Sequence, residues 1–381
     1  MASFEELRPL FLLDPDVVYL NHGSFGACPG PVFAAYQQFQ RETEAEPVEF
    51  LGFEAPGRLS AARQSLAGYV GCARDELVYF PNPTTAINMV ARSLGLQPGD
   101  EILATDHEYG AMDRTWRFIC HQTGARYVRS HVPLPLPDED EIVERVWSGF
   151  SARTRVLFVS HITSQTAVRL PVEALCRRAR QAGVLSIVDG AHAPGQIPLD
   201  LASLGADLYT GACHKWLCAP KGSAFLYASR QVQPQLDPLV VSWGWESDEP
   251  GPSPFIDHHE WQGTRDISAF LSVPAAIAFQ AQYQWEEVRR SCHNLALEAR
   301  RELNQLLEAP PLCPQEAFVQ MFAVLLPDVD VRQLHDRLFD EYRVEVPAHR
   351  WNDRPLMRVS IQGYNSPSDI DALLSSLRQL L

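Results

Sequence analysis

Short apolar runs recur along this chain between longer stretches in which apolar positions return every three to four residues. The runs at 76–80, 101–105, 125–128, 155–160, 185–189, 207–210 and 224–227 hold few polar positions. Several are apolar throughout, which predicts strands buried on both faces. The stretches 85–94, 112–123, 138–150 and 172–182 carry the helical period instead. Strand and helix alternate, so the pattern predicts βαβ units around a mostly parallel sheet, an α/β fold.

The pattern changes past the middle of the chain. Residues 250–266 are rich in Pro, Gly, His and Asp and read as a long loop, a kind of segment that is often functional. A proline-free helical run at 275–307 follows. It leads into strand 318–326, helix 331–342, strand 357–361 and helix 368–381, a small α+β unit. The expected organisation is therefore an N-terminal arm (1–20) lying on the small domain, a large domain (21–265) and a small C-terminal domain (266–381). Internal repeats and low-complexity segments are absent.

Composition narrows the function. The chain has 381 residues, 46% hydrophobic and 21% charged, ordinary for a soluble globular protein. Its net charge of -15, with no basic patch, argues against nucleic acid or an anionic membrane as a partner. An anionic ligand must then be held by local positive groups. The eight cysteines include no Cys-x-x-Cys pair, so neither a disulfide framework nor a zinc site is expected, and no other metal site is suggested. With no leader pattern and no run of membrane-spanning length, the expected location is cytoplasmic.

Five segments that each follow a predicted strand carry candidate chemistry. Lys215, between His214 and Trp216, lies in a stretch of small and apolar residues. A lysine with little water around it has a depressed pKa and is a better nucleophile; the competing picture is a surface lysine. Lys221 is its only nearby rival and reads as a turn residue. Asp189 ends an apolar run, where a carboxylate is expensive to bury unless paired, and His192 follows close behind. A Schiff-base lysine with an acid for a pyridinium nitrogen is what pyridoxal phosphate chemistry requires. Asn82-Pro-Thr84-Thr85 opens a helix after a strand, either as an anion site or as an ordinary helix cap. His107 or Tyr109, in Thr105-Asp-His107-Glu-Tyr109, can stack on a flat ring, or simply belong to a polar loop. Ser160-His161-Ile-Thr163-Ser164 offers hydroxyls, or is a polar turn. Arg358, on a small-domain strand, suits a carboxylate or an internal ion pair.

These segments, in this order, resemble the class V aminotransferase family of fold-type I pyridoxal-phosphate enzymes over nearly the whole chain. The opening Tyr19-Leu-Asn21-His22-Gly-Ser-Phe-Gly, Asp106-His-Glu-Tyr-Gly, His214-Lys-Trp-Leu-Cys-Ala-Pro-Lys-Gly and Gln362-Gly-Tyr-Asn are similar to its isopenicillin N epimerase-like branch. The resemblance implies the fold-type I transferase fold, with a mostly parallel sheet in the large domain. It also implies a homodimer with shared active sites and an amino acid as substrate. On it, Lys215 holds pyridoxal 5'-phosphate, Asp189 binds the pyridine nitrogen, His192 lies near the ring oxygen and His107 stacks on the ring. Thr84, Thr85 and His214 contact the phosphate, with Thr264 reaching it from the other subunit. Arg358 takes the substrate carboxylate, and Asn21 and His22 line the entrance. Relatives often carry a polar residue where this chain has Ala212.

Epimerisation at the α-carbon is the expected reaction, with His107 or Tyr109 as the second acid. Elimination of a C–S bond, as in hercynylcysteine sulfoxide lyases, and transamination are the alternatives. A persulfide-forming cysteine desulfurase is disfavoured, because residues 346–355, ahead of the small-domain arginine, hold no cysteine. A non-catalytic binding protein is disfavoured by the intact Lys215 and Asp189. A plain nucleotide-binding protein is disfavoured by the absence of Gly-x-Gly-x-x-Gly and Walker sequences.

Overall fold

In the computed structural model, which describes residues 3–381, the apolar runs form one seven-stranded sheet. In chain order the strands of the molecule are β1 (Val18–Tyr19), β2 (Leu77–Phe80), β3 (Glu101–Thr105), β4 (Arg126–Ser130), β5 (Thr154–Ser160), β6 (Leu185–Asp189), β7 (Leu208–Ala212), β8 (Ala224–Ala228), β9 (Met321–Leu325), β10 (Val344–Glu345), β11 (Ala348–Trp351) and β12 (Arg354–Ser360). The large sheet runs β2-β8-β7-β6-β5-β3-β4. Strands β3 to β7 are parallel, and β8 is antiparallel to both its neighbours. Two reversals restore direction, so β2 also points with β3 to β7. Six strands therefore finish on the same edge of the sheet.

Both faces of this sheet are packed. Ile102, Ala104, Val156, Phe158 and Ile187 belong to one apolar core. Their neighbours Leu103, Leu157, Val159 and Val188 belong to the other. Successive side chains on a strand point to opposite faces, so a strand covered by helices on both sides must be apolar at every position. The outer strand β4 is the contrast: Arg126 and Arg129 are exposed there, and charge on an edge discourages pairing with other chains.

A second sheet, β11-β12-β9, is antiparallel and is covered by the helices Trp285–Leu306 and Val331–Tyr342, with Pro367–Leu380 packed on both helices. The N-terminal segment lies on this unit. Its strand β1 pairs with β10, Asn21 bridges to Ser360 on β12, and the Arg8 guanidinium is 3.6 Å from the Asp369 carboxylate. Residues 1–2 of the expected arm fall outside the described residues.

Three expectations change. The stretch 250–266 is not all loop: it holds a helix, Pro254–Glu260, whose N-cap Ser253 accepts the Ile256 N–H. Proline at the first helical position is compatible with a helix start, and it was the proline-rich flank that made the stretch read as a loop. The run 275–307 is two helices, Val273–Gln282 and Trp285–Leu306, parted at Gln284 with φ +50°. The first packs on helices Gly30–Ala45 and Ala55–Val70, the second on β9. The packing partners of this run thus change at Tyr283–Gln284. Strand β11 lies in a polar stretch that shows no strand pattern.

Among the described residues no helix is long and apolar enough to cross a membrane.

Two glycines let backbone press against the turn that follows β7. Gly26 has φ +70°, and a Cβ there would lie 2.0 Å from the His214 carbonyl oxygen. Gly195 has φ +89°, and a Cβ there would lie 2.2 Å from the Trp216 carbonyl. Substitution Gly195→Ala adds a left-handed-region penalty to a backbone clash, and we expect it to remove about 2–3 kcal/mol of stability. A urea unfolding midpoint checks this; a variant as stable as the parent would contradict the close backbone packing.

Candidate active site

The six strand ends on one edge explain why residues far apart in sequence meet. In an open α/β sheet, ligands bind beyond the carboxyl ends of the strands. Here a cavity of about 320 Å³ lies there. Asn82 and Thr84 follow β2, Tyr109 follows β3, Ser160 and Ser164 end and follow β5, Asp189 and His192 end and follow β6, and His214 and Lys215 follow β7. Ser24 and Phe25 of the N-terminal segment and the turn Lys221-Gly222 complete the wall.

Lys215 Nζ faces this cavity 3.2 Å from His192 Nε2. Loss of water and the nearby Arg358 charge pull its pKa down to about 8, with Asp189 working the other way. Asp189 is buried at the end of β6 and accepts one backbone N–H, from Ala191, at 3.0 Å. Burial raises its pKa, opposed by that N–H and by Lys215. The remaining acceptor capacity of the carboxylate suits a protonated ring nitrogen.

Arg358 reaches the site from β12. It donates to the Ser164 carbonyl (2.7 Å), to Ser24 Oγ (2.8 Å) and to Asn21 Oδ1 (3.3 Å). Its Nε is buried with no partner, and among the described residues it forms no ion pair. Desolvation lowers its pKa to about 10. A buried guanidinium with neutral supports and no carboxylate is poised to receive one.

At the other end lies the start of helix Pro83–Ser93, where first-turn N–H groups and the helix dipole favour an anion. His214 Nδ1 is 2.9 Å from the Ser223 carbonyl, so that nitrogen carries the proton. Burial lowers the pKa of His214 to about 4. The neutral ring therefore shows its bare Nε2, and contact with an anion there requires uptake of a proton.

Of the residues expected at the site, Thr84, Asp189, His192, His214 and Lys215 line the cavity, and Arg358 adjoins it through Ser24 and Ser164. The others lie elsewhere, each for a visible reason. His107 is fully buried, with Nδ1 2.7 Å from Thr166 Oγ1, Nε2 2.7 Å from the Val132 carbonyl, and its ring against Trp351. It joins the large sheet to β11, and Tyr109 takes the place facing the cavity. Thr85 gives both its N–H and its hydroxyl to Asn82 Oδ1, the helix cap. His22 is buried, donating from Nε2 to the Lys215 carbonyl at 3.0 Å and accepting the Tyr364 hydroxyl at Nδ1 at 2.9 Å; burial lowers its pKa to about 3. Asn21 supports Arg358 instead of lining the entrance. Thr264 is exposed and outside the cavity of its own chain.

Sequence reasoning missed Ser24 and Phe25 as wall residues and set Lys221 aside as a turn. It also missed Glu108, which is buried between the hydroxyls of Thr105 and Ser160 (both 2.6 Å) and whose pKa burial raises to about 8. A usable signal existed for Lys221: it and Lys215 are the only lysines in a chain with 32 basic residues.

The depressed pKa of Lys215 has a direct consequence. A lysine is nucleophilic when deprotonated, so in cofactor-free protein its acylation rate should rise with pH and reach half its maximum near pH 8. Peptide mass mapping of the labelled protein reads this; a midpoint near the ordinary lysine value would contradict the desolvated setting.

Comparison with known proteins agrees with this arrangement. The profile of the class-V aminotransferase family matches residues 18–373. An isopenicillin N epimerase from Amycolatopsis lactamdurans is 38% identical over 394 residues, covering 100% of this chain and 99% of that protein. A probable chloroplastic L-cysteine desulfhydrase from Arabidopsis thaliana is 28% identical, covering 97% of this chain and 84% of that one. Among solved structures, a C-DES variant with glycine covalently linked to its PLP cofactor superposes with a TM-score of 0.86 at 22% identity, over 99% of both chains. The chain belongs to the class-V aminotransferase family and is a pyridoxal-phosphate enzyme of the fold-type I class.

Proposed function

We propose that this enzyme acts at the α-carbon of an amino-acid substrate and epimerises it, in the manner of isopenicillin N epimerase. The observation that carries the reading is the 38% identity to such an epimerase along the full length of both chains. The roles below are assigned on that reading and on the cavity geometry.

Pyridoxal phosphate, when bound, supplies an electron sink for charge developing at the substrate α-carbon. Lys215 would hold the cofactor. Asp189 would keep a proton on the pyridine nitrogen, and His192 would lie near the ring oxygen. Thr84, the start of helix Pro83–Ser93 and His214 would take the phosphate, with Thr264 contributed by a second subunit. Arg358 orients the substrate by its α-carboxylate. Lys215, as a neutral amine of lowered pKa, would take the α-proton. Inversion needs a second group to give a proton to the other face. Tyr109 fills that role, because it lines the cavity and His107 does not.

A second reading, elimination of a C–S bond, is supported by the relative named as an L-cysteine desulfhydrase. A persulfide-forming route is disfavoured on this chain. Residues 346–355 hold no cysteine and contribute β11 and the start of β12. Cys213 and Cys218 are fully buried, and burial pushes both thiols up. We further propose that the enzyme works as a homodimer in the cytoplasm; Phe25, Phe53 and Trp243 are exposed apolar side chains that a second subunit would cover.

The products discriminate among the reactions. Incubation of candidate amino acids with enzyme in deuterium oxide is expected to give α-deuterated, inverted amino acid. Release of sulfide or keto acid in stoichiometric yield would replace epimerisation with elimination or transamination. In Tyr109→Phe, α-deuterium exchange should survive with retained configuration, while inversion falls on the order of 100-fold. For Arg358→Gln, KM should rise on the order of 100-fold through loss of the charged carboxylate contact; an unchanged KM would remove Arg358 from the substrate site.

A further inference from the structure

His192 is held on three sides. Its carbonyl accepts the Gln196 side-chain amide at 2.8 Å, and Gln196 Oε1 in turn accepts the Gln320 N–H at 2.9 Å. Its Nδ1 is 3.2 Å from the indole Nε1 of Trp216, and its Nε2 is 3.2 Å from Lys215 Nζ. Trp216 itself is fully buried, with His22 packed on its ring and the Gly195 backbone against its own.

An indole N–H donates and has no acceptor, so the Nδ1 facing it must be bare. The groups around His192 disfavour a second proton on the ring. Burial, Lys215, Arg358, His214 and His22 all act against the imidazolium, and the only acid on the same turn, Asp189, is itself shifted towards its neutral form by burial. A neutral imidazole with a bare Nδ1 carries its one proton on Nε2.

We propose that Trp216 is a positioning residue whose indole N–H fixes His192 as the tautomer with Nε2–H directed at Lys215 and the cavity. The consequence for Lys215 rests on its reading as the reacting amine. An N–H pointed at Nζ is favourable only when Nζ offers a lone pair, so this tautomer stabilises the uncharged amine. The other tautomer would present a bare Nε2, accept from an ammonium and hold Lys215 charged. The residue after the nucleophilic lysine thereby sets the protonation state of that lysine through a histidine distant in sequence.

The test uses full-length protein carrying 15N-labelled histidine, both loaded and cofactor-free, with the His192 signals assigned by difference against His192→Gln. Two-bond proton–nitrogen correlation at about pH 9, above the Lys215 midpoint, is expected to show a bare Nδ1 and a protonated Nε2. Replacement of Trp216 by β-(benzothien-3-yl)alanine keeps the ring shape and removes only the N–H. In that variant, as in Trp216→Phe, the two tautomers should mix and the pH midpoint of Lys215 acylation should rise by about one pH unit. An Nδ1–H tautomer or an imidazolium in the unsubstituted protein would overturn the proposal, and that measurement needs no variant to fold. An unchanged tautomer and an unchanged Lys215 midpoint in the benzothienyl variant would overturn it equally. The tautomer in cofactor-free protein is independent of any reaction, so failure of the epimerase reading and failure of the Trp216–His192 proposal are separate results.

Discussion

A lysine amine held with little water beside a buried guanidinium loses part of what stabilises its charged form, and the rest of the site depends on that fact. Lys215 and Arg358 approach from different units; burial and the Arg358 charge lower the Lys215 pKa, and burial lowers that of Arg358. Three features make the arrangement tolerable: Asp189 supplies the opposite charge, His192 supplies a donor to a neutral amine, and Ser24, Ser164 and Asn21 solvate the guanidinium without neutralising it. The arginine is left in want of a carboxylate, and the lysine is left nucleophilic. On the proposed function, a substrate carboxylate would answer the first need and a carbonyl cofactor the second.

The fold brings these groups together by strand direction. Only because β8 reverses twice does β2 end on the same edge as β3, β5, β6 and β7, placing a helix start for an anion at one end of the cavity. The small unit contributes through β12 and the N-terminal segment. That segment pairs with β10, bridges to β12 at Ser360, and then crosses the Lys215 turn at Gly26. His22 sits at the crossing and ties the Lys215 carbonyl to Tyr364. Movement of the small unit against the large one must therefore be felt at the lysine backbone as well as at Arg358.

The parts of this that were legible in the sequence are those with a local signature. Strands such as β5 and β6 are apolar at successive positions because helices cover both faces, and Asp189 and Lys215 stand out as charges at the ends of such runs. What was not legible depends on partners remote in the chain. Nothing near Gln284 marks a helix break, since neither proline nor glycine is there. His107 has the residue type and the loop position of a ring-stacking group. It is turned away because Thr166, Val132 and Trp351 claim both nitrogens and the face of the ring, and those residues come from other segments. Thr85 looks like a phosphate donor until Asn82 takes its hydroxyl. His22 reads as an entrance residue until the Lys215 carbonyl and Tyr364 are beside it.

The central claim is that Lys215 is the amine that carries the cofactor, and the composition of the chain makes it unusually simple to test. The only lysines are Lys215 and Lys221. Purified enzyme reduced with borohydride and mapped by peptide mass should carry the pyridoxyl group on Lys215, with Lys221 unmodified. The group on Lys221, or on neither lysine after saturation with pyridoxal phosphate, would contradict the account.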